Sequence, residues 1–302
     1  MDIQDLKNRF SIASEINIIE GKNGIPFIEI RNAHSHALIS LYGGQLLSYS
    51  SNNEELLFLS EIANYAEGKA IKGGVPVCWP WFGVDPENKG RQSHGFARNK
   101  MWQLRSTEVL SASECKVVMG LNNDDETFKL WPYSFDLEIE IIVGNSLSVV
   151  LRTTNTDKES FEITQALHTY FLISDITKIY LKGLDSKNYL DKAKINVGDV
   201  RKLQSGNVKF VEEVDRIYLD VPGVMQLIDE QGDRIINISS LGNKTAVVWN
   251  PAAELTQKMS DLNNNDYKNF VCVETANAAN DVVVVAPGES YELSVNYKLA
   301  DL

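Results

Sequence analysis

The chain has 302 residues, 43% of them hydrophobic and 23% charged, a balance that excludes a fibrous repeat or a disordered polypeptide. Its formal net charge of −12 repels nucleic-acid phosphates and anionic lipid headgroups, so neither nucleic acid nor membrane is expected as a partner. The opening MDIQDLKNRFSIASE lacks the basic and apolar regions of a secretory signal, and no apolar run approaches the roughly 18 residues of a membrane span, so a cytoplasmic protein is expected.

In chain order, a short helix is predicted over residues 3–10. Alternating or apolar runs punctuated by Gly, Asn, Asp and Pro then extend from about residue 25 to 299 and read as strands. They are PFIEIRN, HALISLYGGQLLSYS, CKVVMGL, FDLEIEIIV, LSVVLRTTN, FEITQALHTYFLI, VMQLIDEQGDRIINIS, TAVVWN, FVCVETA and SYELSVNYKL. A second short helix is predicted around AELTQKMSDL. So many strands and so few helical periods rule out a parallel α/β fold. With no linker, charge block or repeat to divide it, residues 1–302 read as one all-β domain, a large antiparallel β-sandwich with a few peripheral helices. Cys78, Cys115 and Cys272 lack C-x-x-C spacing and read as reduced, buried thiols.

Several stretches carry possible chemistry. KGGVPVCWPWFG, at 72–83, is poor strand material: it is either a rigid loop packing Trp79, Trp81 and Phe82 into the sandwich edge, or a ligand loop with aromatic walls and Lys72 at its mouth. Period-two alternation puts Thr164, Ala166, His168, Tyr170 and Leu172 on one strand face. His168 is there either as a hydrogen-bonded core residue or as a proton donor with a tuned pKa. Glu274 shares a face with Phe270 and Cys272, where a carboxylate is costly to bury; it is a structural acceptor or a base. HGFARNKMW, at 94–102, sets His94 four residues from Arg98, around a flexible Gly95.

Taken in order, KGGVPVCWPWFG, HGFARN, ALHTYF, DRIY, VVWNP and FVCVETAN resemble the aldose 1-epimerase (galactose mutarotase-like) superfamily, and within it the D-hexose-6-phosphate mutarotase branch, also called glucose-6-phosphate 1-epimerase. The likeness covers residues 25–299. It implies a single β-supersandwich, a sugar-binding cleft, and no metal or organic cofactor. It also implies that Glu274 is the general base and His168 the general acid, with Lys72, His94, Arg98 and Asp215 lining the substrate. Where the branch commonly has arginine this chain has Lys72, which keeps the charge and loses the bidentate fork. Some relatives carry glutamine immediately before the HG; here Ser93 stands there, after Gln92.

Such an enzyme opens and recloses a hemiacetal. A base takes the O1 proton, an acid protonates ring oxygen O5, and the steps reverse after rotation about C1–C2. Glu274 is then expected ionised and His168 protonated. The partner expected is a small sugar phosphate, and the chain is expected to be a monomer. The alternatives are a mutarotase of free hexoses and a non-catalytic carbohydrate-binding sandwich.

Overall fold

The computed structural model describes residues 2–193 and 200–302. The chain begins with a helix, Ile3–Phe10, whose first turn is capped by Asp2 accepting from the Gln4 N–H (2.8 Å). Leu6 and Phe10, four apart, are the residues it buries.

Three large antiparallel sheets follow. The first joins Ile16–Glu20, Pro26–Arg31, Ser35–Ser40, Gln45–Ser51 and Glu54–Glu55 in sequence order. The second, called here the back sheet, orders Ile179–Lys182, Val224–Asp229, Arg234–Leu241, Ser290–Asp301, Leu147–Asn155, Phe135–Val143, Glu114–Asn122 and Gln103–Ser111. The third, the site sheet, orders Val200–Leu203, Asn188–Asp191, Val214–Leu219, Thr245–Asn250, Phe270–Asn277, Gln165–Leu167 and Val77–Cys78, with Tyr170–Leu172 also paired to Phe270–Asn277.

Strict alternation explains the layering. FDLEIEIIV and LSVVLRTTN each bury every second residue, and the apolar ones among those residues join Leu167, Phe171, Val271 and Val273 of the site sheet in one contiguous core. Thr169 and Tyr297 share a hydroxyl hydrogen bond of 2.5 Å across it.

The β-sandwich read from the sequence is therefore the fold, with three differences of detail. Strand structure starts at Ile16, ahead of the predicted residue 25. FEITQALHTYFLI is not one strand: it breaks into Phe161–Ile163, Gln165–Leu167 and Tyr170–Leu172. It breaks because Thr164 and His168 spend their backbone N–H groups on Pro80 and Pro76 of the neighbouring loop (3.1 and 3.0 Å). The helix expected around AELTQKMSDL is only Ala252–Thr256, closed by i→i+3 bonds from the Lys258 and Met259 N–H groups. All three cysteines are free and buried. Among the described residues, no helix is long and apolar enough to cross a membrane.

Candidate active site

Cross-strand register assembles the site. Leu167 pairs with Thr275 and Tyr170 with Cys272 in one unbroken register, which sets His168 opposite Glu274. Glu274 pairs on its other side with Val247, and Val247 with Ile217. The adjoining row on the same face reads Tyr170, Cys272, Trp249, Asp215. Directly opposed residues share a face with Cβ atoms roughly 5 Å apart. Four segments distant in sequence thus lay His168, Glu274, Tyr170, Trp249 and Asp215 on one patch, turned away from the core.

Within that patch His168 Nε2 stands 3.3 Å from Glu274 Oε1, with the residues 9% and 1% exposed. The Tyr170 ring stacks on the imidazole at 4.9 Å, tilted by only 13°. Trp249 and His94 meet it edge-on at 6.1 and 6.0 Å. His168 Nδ1, Glu274 Oε2 and Arg98 Nε are buried and make no hydrogen bond within the protein. Buried polar atoms are normally paired, so three unpaired ones in one neighbourhood are what a polar ligand would satisfy.

The HGFARN turn delivers the remaining groups. Gly95 has φ +69°, and a Cβ there would lie 1.9 Å from the Trp79 carbonyl oxygen, so only glycine fits. His94 is itself left-handed (φ 66°). Its N–H donates to the Gly83 carbonyl (2.7 Å), and the Gly83 N–H donates to its Nδ1 (3.4 Å), which leaves the ring hydrogen of the neutral imidazole on Nε2. Arg98 Nη2 donates to the Ser93 carbonyl at 2.9 Å. Lys72 Nζ lies 3.4 Å from Asp261 and 6.0 Å from the centre of the Trp249 ring. Lys72, Arg98, Tyr170 and Asp261 line a cleft of about 870 Å³, together with Lys22 and Lys69.

Burial shapes the electrostatics. It pushes Glu274 well above the ordinary carboxylate value; the Asp215 charge adds to the rise, and Arg98 opposes it. Burial also holds His168 well below the usual imidazole value, helped by His94, Arg98 and Lys72. The ion pair expected from the sequence is therefore opposed by desolvation on both sides. Desolvation thus acts on both groups in the direction of their neutral forms. His94 is lowered to about 3 by burial, Arg98 and Lys72, and stays neutral. Asp215 is raised to about 6 by burial and by Glu213 and Asp191, against Lys192.

The aldose 1-epimerase profile matches residues 26–298, nearly the whole chain. The chain belongs to the aldose 1-epimerase family. A relative from Cenchrus ciliaris named "Putative glucose-6-phosphate 1-epimerase" is 36% identical over 285 residues, covering 91% of this chain and 84% of its own. One of the same name from Escherichia coli K12 is 37% identical over 256 residues, with 84% of each covered. The crystal structure of a "putative mutarotase (YeaD)" from Salmonella typhimurium superposes with a TM-score of 0.90 at 28% identity, over 97% of this chain and 96% of that one.

For an aldose 1-epimerase the placement of the candidate residues is informative. Lys72, His94, Arg98, His168, Asp215 and Glu274 fall in one neighbourhood, although five separate motifs supply them. Of the two readings of KGGVPVCWPWFG, the rigid packing loop holds for its tryptophans. Trp79 is in the core, donating to Thr153 Oγ1 (3.0 Å), and Trp81 packs under Arg91; only Phe82 reaches the site, edge-on to His94 at 4.8 Å. Its glycine pair serves packing as well: a Cβ on Gly74 would meet the Leu46 carbonyl oxygen at 2.1 Å. Trp249 and Asp261 are site residues that the sequence motifs alone do not give a role. Asp261 falls in the stretch read as helix, and a single acid there carries no signal. Trp249 was detectable, since it shares strand parity with Val247 in VVWNP. Among the described residues, no group of three or more His, Cys, Asp and Glu is arranged to hold a metal ion.

Proposed function

We propose that the protein interconverts the α and β anomers of a hexose 6-phosphate, with Glu274 and His168 moving the protons. The observation that carries this reading is the 3.3 Å approach of His168 Nε2 to Glu274 Oε1 beside a cleft lined by Lys72 and Arg98. The pair holds one proton between two facing atoms. With that proton on His168, Glu274 takes the O1 hydrogen while the imidazolium protonates O5, and closure on the other face runs both transfers backwards. Arg98 favours the ionised carboxylate that the first step needs. The neutral His94, with hydrogen on Nε2, is a donor to a ring oxygen or hydroxyl, and Asp215 accepts hydroxyl hydrogens.

The cations of the cleft support a phosphorylated substrate, because a dianion must be held locally in a chain carrying −12 overall. The names of the relatives from Cenchrus ciliaris and Escherichia coli agree with that class. One observation favours an uncharged hexose instead: Lys72 is already paired with Asp261. Polarimetry on freshly dissolved α-glucose 6-phosphate and α-glucose separates the readings. Faster equilibration of the phosphorylated sugar, abolished in Glu274→Gln and in His168→Asn, is expected. Equal rates for both sugars would favour the free-hexose enzyme, and unchanged rates in both variants would remove the acid–base assignment.

A further inference from the structure

The loop between Gly83 and His94 is closed by a buried ion pair that the proposed chemistry does not use. Asp85 and Arg91 have side chains only 6% and 7% exposed. The Asp85 carboxylate accepts the backbone N–H groups of Glu87, Lys89 and Arg91 (3.1, 2.7 and 3.1 Å), together with Nε (2.9 Å) and Nη2 of Arg91. Arg91 spends the rest of its fork outward. Nη1 donates to the Leu130 carbonyl at 2.8 Å, Nη2 meets Glu87 at 2.7 Å, and the guanidinium lies 4.3 Å over the Trp81 ring.

A buried ion pair is a poor device for stability alone, because desolvating two charges offsets much of their attraction. What this one holds in place is the chain that follows. The Gln92 carbonyl accepts from Trp81 Nε1 (3.1 Å), and Gln92 Oε1 accepts from Asn99 Nδ2 (2.7 Å). The Ser93 carbonyl accepts from Arg98 Nη2 (2.9 Å), and the His94 N–H donates to Gly83 (2.7 Å). Every residue from 91 to 94 is thus tied down. Ser93, whose carbonyl orients the Arg98 guanidinium, lies only two residues past the clamp.

We propose that the Asp85–Arg91 pair is the positioning device that aims Arg98 at the anionic group of the substrate, so that Arg91, a residue touching no substrate, sets selectivity for the phosphorylated sugar. The inference rests on the hexose-phosphate reading. It assigns Gln92 and Ser93 the role of transmitting the clamp through their hydrogen bonds to the 94–99 turn.

The test is a double-mutant cycle read as KM for glucose 6-phosphate and for glucose. Arg91→Met keeps an apolar stem over Trp81 and removes the fork. It should raise KM for glucose 6-phosphate by about tenfold while moving KM for glucose and both kcat values by less than about threefold, a coupling within the range seen inside one hydrogen-bonded network. In an Arg98→Ala background the same change should have almost no further effect, since the side chain being aimed is gone. Arg91→Lys, which keeps charge against Asp85 but cannot also hold Leu130, should lose several-fold of the selectivity and serves if Arg91→Met does not fold. Equal losses for both sugars, a full Arg91→Met effect persisting without Arg98, or wild-type selectivity in Arg91→Lys would each overturn the proposal. A wild-type enzyme with equal KM for the two sugars would fail differently, by removing the hexose-phosphate reading itself.

Discussion

Glu274 has 1% of its surface exposed and one carboxylate oxygen without a hydrogen-bond partner, an expensive state for an acid kept only for structure. Glu274→Gln preserves shape and removes the base. The variant should still bind hexose 6-phosphate and should equilibrate anomers about a hundred to ten thousand times more slowly, measured by polarimetry. Asp215 offers a stability test with a definite sign. Its folded pKa is raised to about 6 against an ordinary value of 3.8, so below pH 3.8 it is protonated in both states and imposes no penalty. As pH rises through that window the folded state must give up a proton it prefers to keep, and above 6 the penalty is fully present. Asp215→Asn mimics the protonated acid. It should raise thermal stability at pH 8 by at most about 3 kcal/mol, with the gain vanishing near pH 4. A gain of equal size at both pH values would show that the carboxylate charge is not its source.

At the scale of elements, the site depends on two devices, strand register and one tight turn. The strand Phe270–Asn277 is buried along its whole length, so either face can be read as core from its composition. Its alternation nevertheless sends Val271 and Val273 to the core and Cys272 and Glu274 to the site, because a strand's side chains change face at every residue. The turn is less forgiving. Gly95→Ala would drive a Cβ into the Trp79 carbonyl oxygen at 1.9 Å and force a left-handed residue beside His94, which is already left-handed. The expected loss is on the order of 3 kcal/mol or more, with activity falling further than stability because His94 and Arg98 flank the turn. Chemical denaturation alongside polarimetry checks it; a variant with wild-type activity would show that the turn does not position the site.

At the scale of the whole molecule, the −12 net charge gives an anionic substrate no long-range steering, so the attraction must come from cations inside the cleft. Salt screens such partly exposed pairs. Raising ionic strength should therefore raise KM for hexose 6-phosphate while leaving kcat, and KM for the free sugar, nearly unchanged. Arg98→Ala and Lys72→Ala should each weaken binding of the phosphorylated sugar selectively and flatten that salt dependence. Equal losses for both sugars in both variants would assign Lys72 and Arg98 to something other than phosphate.

Much of this was present in the amino-acid order. Period-two alternation in FDLEIEIIV and LSVVLRTTN determined strands and their core-facing residues, because burial on one face leaves an imprint at every second position. The same rule put His168 and Tyr170 on one face and Glu274 with Cys272 on another strand's face. Chain order could not say that these two faces meet, since pairing between residues 168 and 274 depends on which strands become neighbours and in what register. Tertiary structure alone decided that Trp79 and Trp81 pack inward while Trp249 joins the site, since composition reports how apolar a segment is but not which way each ring points. It also decided the direction in which Glu274 and His168 titrate. Their environment is made of Asp215, Arg98, Lys72 and His94, brought from far along the chain, and a pKa answers to neighbours in space rather than in sequence.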